Sequence, residues 1–292
     1  MPRSRWPLPS PSRPRSRRAR KSACSGSPYP TPRLSRSRSR RGSRWNSSDS
    51  WGASRPQSAI FCGEARSSGS DTRRPVTTDT ARQGRLITLE GGEGAGKSTQ
   101  AKRLGAFLRG LGLEVTETRE PGGASGAEAI RALLVEGDPG RWTPLAETLL
   151  LSAARADHLA CTVRPALAAG HWVVCDRFTD SMLAYQGFGH GLDAARLRVL
   201  NELVTEGLTP DLTLILDVPV DSGLGRAGGR AGGEDRFERM GRDFHERLRQ
   251  GFLAIAQAEP HRCVVIDATA EVDSVAATIA RTVEERLRPE RR

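Results

Sequence analysis

From residue 85 onward, short apolar runs alternate with longer stretches in which apolar residues recur at i, i+3 and i+4. Residues 86–90 (LITLE), 114–120 (EVTETRE), 171–177 (HWVVCDR), 211–218 (DLTLILDV) and 263–268 (CVVIDA) read as five strands. Helices are predicted over 97–111, stopped by Gly112, and over a long region, 144–170, kinked or broken at Pro165. Two more are predicted over 235–257 and 272–287. Mainly apolar strands separated by helices indicate an α/β fold: a five-stranded parallel sheet with helices on both faces. In such a sheet, chemistry collects at the C-terminal strand ends. The polar residues there are Glu90, Arg119, Asp176 with Arg177, and Asp217.

The first 84 residues lack this pattern. They are rich in Arg, Ser and Pro, as in "RPRSRRARK" and "RLSRSRSRRGSR", and are expected to be a disordered extension to a folded domain over 85–292. They carry 19 of the 45 Lys and Arg but only Asp49, Glu64, Asp71 and Asp79 of the 34 acids. The net charge of +11 therefore belongs to the extension, and the other 208 residues are mildly acidic. The expected reading is a segment without a function of its own, as from a translation start assigned too early. The alternatives are an organelle transit peptide, against which the prolines argue, and an arginine-rich arm that binds nucleic acid. Nucleic acid is not the expected partner. Five scattered cysteines form no metal-ligand spacing, and no apolar run reaches the length of a membrane span, so a cytoplasmic protein is expected. His158, His245 and His261 form no constellation and are expected at the surface or at caps.

Gly91-x-x-x-x-Gly96-Lys97-Ser98 follows the first strand and opens the first helix, the full phosphate-binding P-loop pattern in its confirming context. Backbone N–H groups of such a loop converge on the β-phosphate, and the helix N-terminus adds partial positive charge. The predicted ATP-binding residues are Gly91, Gly92, Glu93, Gly94, Ala95, Gly96, Lys97, Ser98 and Thr99, with Lys97 reaching the phosphates and Ser98 ligating Mg²⁺. No NKxD motif marks a GTPase, and no apolar strand ending in Asp-Glu marks a motor. The third strand ends in Asp176-Arg177, a cue for small-molecule kinases. Arg119 and Arg177 can each fork onto an acceptor phosphate.

"GGEGAGKSTQ", "TREPGG", "DRFTDSMLAYQG", "LDV", "DRFE" and "FHERLRQGFLAIA" occur in the order and spacing of thymidylate kinases. The chain resembles the bacterial type of that family over roughly residues 85–288. The resemblance implies ATP- and Mg²⁺-dependent phosphorylation of dTMP to dTDP by in-line transfer, within a homodimer. It makes Arg119 and Arg177 partners of the acceptor phosphate and puts Glu93 near the acceptor sugar and the metal. Asp176 becomes an outer-sphere metal partner or arginine orienter, and it is expected with Ser181 and Leu151 among the substrate-binding residues. Glu93-Gly94 stands where the eukaryotic type has an arginine, so the missing cation is expected from a glycine-rich lid over about 224–236. Arg226 or Arg230 is the expected catalytic arginine there, with Arg236 nearby. Arg155 matches the residue that bonds a thymine carbonyl, and Tyr185 and Gln186 match a sugar floor and a base reader. Leu151 stands where the family usually has a phenylalanine stacked on thymine, a gap that Phe178 or Phe188 could fill. Phe252 stands where many members have tyrosine. The alternatives are a kinase of another pyrimidine nucleotide, or a nucleic-acid-binding protein acting through the basic extension.

Overall fold

The computed structural model describes residues 84–228 and 236–289. Residues 1–83 of the extension, and Arg230 of the expected lid, lie outside the described residues. The five strands are β1 (Arg85–Gly91), β2 (Val115–Arg119), β3 (Trp172–Asp176), β4 (Leu212–Asp217) and β5 (Cys263–Asp267). They form one all-parallel sheet in the order β2-β3-β1-β4-β5. The strand that carries the P-loop is therefore central, and the ends of β3 and β4 flank it.

The helices are α1 (Lys97–Gly110), α2 (Ser125–Val135), α3 (Pro144–His158), α4 (Arg164–Ala168), α5 (Thr179–Met182), α6 (Ala194–Thr205), α7 (Val220–Ala227), α8 (Arg242–Ala258) and α9 (Val272–Leu287). Alternate strand residues feed different cores. Ile87, Leu89, Leu214 and Leu216 meet Leu104 and Leu108 of α1 and Ile279 and Val283 of α9. On the opposite face, Ile215 meets Met182, Tyr185, Phe244, Leu248 and Phe252. Leu86, Val173, Cys175 and Phe178 pack with Leu159 and Val163. No helix among the described residues is long and apolar enough to cross a membrane.

Three expectations change. The break in the region after Pro144 falls upstream of Pro165. A π-helical turn, Leu159–Val163, joins α3 to α4, so the proline falls in the first turn of α4, where its missing N–H costs nothing. The helix expected from residue 235 begins at Arg242, because Gly241 is extended at its N-cap and residues 236–240 form turns. His158 and His245 are buried rather than superficial. His158 bonds Thr118 Oγ1 at 2.7 Å and Glu120 Oε1 at 3.0 Å.

Candidate active site

The loop after β1 is shaped by glycines that no other residue could replace. At Gly91 (φ +135°) a Cβ would lie 2.4 Å from the Leu216 carbonyl of β4, and at Gly94 (φ +67°) it would lie 1.9 Å from the Gly223 carbonyl of α7. The loop is thus pressed between β4 and α7. Gly96 caps α1 in the left-handed conformation, one that glycine adopts without strain. Lys97 is folded back onto this loop: Nζ donates to the carbonyls of Gly91 (3.2 Å) and Gly92 (2.7 Å). Burial, then the Arg177 cation, lower its pKa to about 8. Ser98 Oγ donates to Asp176 Oδ2 at 2.5 Å, which joins the start of α1 to the end of β3.

Arg177 links this loop to a second compartment. It is held at φ +71°, a conformation in which a non-glycine residue is strained. Nη1 donates to Gly91 O (3.1 Å) and Ser181 Oγ (3.3 Å), and Nη2 reaches Glu93 Oε1 at 3.0 Å. The guanidinium lies 4.9 Å over the Tyr185 ring. Burial alone would raise the Glu93 pKa, but Arg177, Lys97 and the Tyr185 hydroxyl (2.6 Å) outweigh it and hold the carboxyl at about 2. Burial, foremost, keeps the Tyr185 phenol well above its usual range and hence a donor. Behind them, Glu90 accepts from the N–H groups of Phe178 and Ser181 and from Ser181 Oγ. Burial and the Asp180 charge push its pKa up to about 8. Sequence reasoning marked Glu90 only as a strand end. The structure makes it the anchor of the segment that carries Arg177.

The second compartment is a cleft open to solvent and lined by both polar and apolar side chains. Glu93, Leu151, Arg155, Arg177, Ser181, Tyr185 and Gln186 all line it, so most of the predicted acceptor residues converge. Arg155 is fixed by Glu120 Oε2 (2.7 Å), Asn201 Oδ1 (3.0 Å) and the Phe178 carbonyl (3.0 Å). Glu120 and Asn201 had no sequence signal beyond residue type. The gap left by Leu151 is bordered by Phe178 and by Phe237, which was not foreseen and stacks edge-on against Tyr185 at 5.6 Å. Phe188 does not line the cleft; it packs toward Gly251. Phe252 is in the core under Tyr185.

Three arginines stand elsewhere. Arg119 leaves the cleft lining and pairs with Glu128 of α2 at 3.0 Å, with its side chain half exposed. Arg226 is in the last turn of α7 and donates to the carbonyls of Ala268 (3.0 Å) and Thr269 (3.4 Å), so the start of the expected lid is helix. Arg236 is completely buried against backbone carbonyls and Glu147 and cannot serve as a mobile cation.

The sequence model described as Thymidylate kinase matches residues 89–279. A thymidylate kinase of Caulobacter vibrioides is 56% identical over 205 residues, 70% of this chain and 98% of that protein. One of Rhizorhabdus wittichii is 53% identical over 197 residues, 67% of this chain and 95% of that protein. The crystal structure of a thymidylate kinase from Ehrlichia chaffeensis is similar with a TM-score of 0.57 at 33% identity, covering 69% of this chain and 99% of that one. With a P-loop and an acceptor cleft joined through Arg177, the chain belongs to the thymidylate kinase family.

Proposed function

We infer that this chain transfers the γ-phosphoryl group of ATP to dTMP, giving ADP and dTDP by direct in-line displacement. The observation that carries this reading is Arg177, whose guanidinium touches the P-loop carbonyl, Glu93 and the Tyr185 ring at once. A cation placed between donor loop and acceptor cleft suits a reaction that needs charge neutralisation and alignment rather than covalent help. Lys97 would leave the loop carbonyls for the phosphates of ATP. The Arg119–Glu128 pair is exposed and so weakly held, about 0–1 kcal/mol, which leaves Arg119 free to exchange its partner for the acceptor phosphate. The lid cation is assigned to Arg226 or Arg230, as the resemblance implies.

Ser98 and Asp176 offer hard oxygen donors in mutual contact, a fit to Mg²⁺. Among the described residues no group of three or more His, Cys, Asp and Glu forms a metal cage, so phosphates and water would complete the coordination. Bound there, the ion would neutralise charge on the β- and γ-phosphoryl oxygens.

The acceptor is tested by comparing kcat/KM for dTMP, dUMP, UMP and thymidine. The highest value belongs to dTMP, and a higher one for any other acceptor would overturn the reading. The three described cysteines are free thiols, which supports a cytoplasmic setting.

A homodimer is part of the same proposal. The adjacent helices α3 and α6 each expose two large apolar side chains one turn apart, Leu145 and Leu149 on α3 and Val199 and Leu203 on α6, which supports this reading. Sedimentation should give twice the chain mass, and Leu149→Asp should lower it to one. A wild-type monomer at assay concentration would contradict the proposal.

A further inference from the structure

Gln186 is completely buried and lines the acceptor cleft, and the two ends of its amide are in different situations. Nε2 donates to Glu147 Oε1 at 2.8 Å. Oε1 is buried with no partner among the described residues. Buried polar atoms are rarely left unpaired, so this oxygen points to a donor that a ligand supplies. The amide's two ends have nearly the same shape, and what stands behind it decides which one faces the cleft.

Behind it is Glu147 of α3, only 1% exposed. Its Oε2 lies 2.5 Å from Arg236 Nη2, and its Oε1 lies 3.3 Å from His190 Nε2. Burial alone would push this carboxyl up, but the contacts from His190, Gln186 and Arg236 hold it below its usual range. An ionised carboxylate only accepts. Arg236 cannot swing away, because it also donates to the carbonyls of Leu134 (3.1 Å), Asp138 (3.1 Å) and Pro139 (3.0 Å). The NH₂ group of Gln186 must therefore face Glu147, which leaves the oxygen as the amide end turned away from that carboxylate, in a side chain that lines the cleft.

We propose that Glu147, braced by Arg236, is a positioning residue that sets base specificity by fixing the Gln186 carboxamide with its oxygen toward the cleft. The base end then accepts pyrimidines with a ring N3–H, such as thymine and uracil. It refuses cytosine, whose N3 is an acceptor that would face the amide oxygen lone pairs. This rests on the reading of the cleft as the thymidylate site.

The test measures kcat/KM for dTMP and dCMP, with ATP, in wild type and Glu147→Gln. A neutral amide at 147 tolerates either end of Gln186. The preference for dTMP over dCMP should narrow by about tenfold or more, with dCMP turnover rising or falling less than dTMP turnover. A merely structural role would lower both equally, and an unchanged ratio overturns the proposal. Because Glu147→Gln leaves a buried cation without its charged partner, the double variant Glu147→Met/Arg236→Met supplies the same reading with both charges removed. The ratio should narrow there too, and an unchanged ratio in it is equally decisive. A wild-type protein that does not phosphorylate dTMP would contradict the reading of the site. A wild type that prefers dTMP, beside variants whose ratio does not move, contradicts only the lock on Gln186.

Discussion

Lys97→Ala is expected to lower kcat/KM for phosphoryl transfer by about a thousandfold or more, with most of the loss in kcat. The Lys97 ammonium is 7% exposed and is held at the loop by two carbonyls rather than by an acid. It is available to oxygens whose charge grows as the γ-phosphoryl moves, and an interaction that strengthens in the transition state appears in kcat. The same side chain should contribute little to folding. Its pKa falls from 10.5 to about 8 on folding, chiefly through burial, so the charged form is disfavoured in the native state. The linkage sign follows: this destabilisation is fully present below pH 8 and disappears as pH rises above 10.5. At pH 7 the alanine variant should therefore melt no lower than wild type. ADP release in a coupled assay and thermal melts at pH 7 provide both numbers. A folded variant that keeps about a tenth of wild-type turnover would remove Lys97 from the chemistry.

Such a residue is legible in sequence because its setting is local. The P-loop fixes its own backbone through glycines within a few positions, and its strand is short and rich in apolar residues (Leu86, Ile87, Leu89). β3, β4 and β5 are legible for the same reason, whereas β2 (VTETR) is mainly polar and shows its strand character through β-branched Val115, Thr116 and Thr118. The missed helices failed for physical reasons. In α6, Val199 and Leu203 are apolar but exposed, so its apolar residues do not mark one buried face. In α7, Gly223 and Gly225 depress helix propensity, and Gly223 is required where the P-loop backbone approaches within 2.5 Å of its would-be Cβ. The π-helical turn Leu183–Gly189 contains two glycines and no helical period.

At the site, residue types were read more reliably than partners. Arg155 was marked, but Glu120, Asn201 and the Phe178 carbonyl, which orient it, reach it only through tertiary packing. Arg236 looked like a mobile lid cation because it follows a glycine-rich stretch. It is a buried brace because the carbonyls of Leu134 in α2 and of Asp138 and Pro139 just beyond it accept from its guanidinium. A sequence records the donor and leaves the acceptors unspecified.

Arg177→Ala should damage both activity and stability, by about 10²–10³ in kcat/KM and about 3–5 kcal/mol in folding. The side chain is 16% exposed and Glu93 is 15% exposed, so the pair is largely withdrawn from water. Without Arg177, the Glu93 carboxylate loses the largest of the influences that oppose its burial and keeps the Lys97 charge, the Tyr185 hydroxyl and the smaller effect of His245. The pH dependence isolates that part. Glu93 is lowered from 4.5 to about 2 in the folded protein, so its contribution is present above pH 4.5 and is lost as pH falls through about 2. The stability gap between wild type and Arg177→Ala should be wide at pH 7 and shrink toward pH 3. Urea melts at both pH values measure it, and an equal gap at both would show that the Glu93 pair is not the source. Two further substitutions separate backbone from side chain. Arg177→Gly should be about 1 kcal/mol more stable than Arg177→Ala, because the position sits at φ +71°. Arg177→Lys should recover part of the stability and little of the turnover. An ammonium can pair with Glu93, but it cannot also hold Gly91 and Ser181 in the planar fork that aligns donor with acceptor.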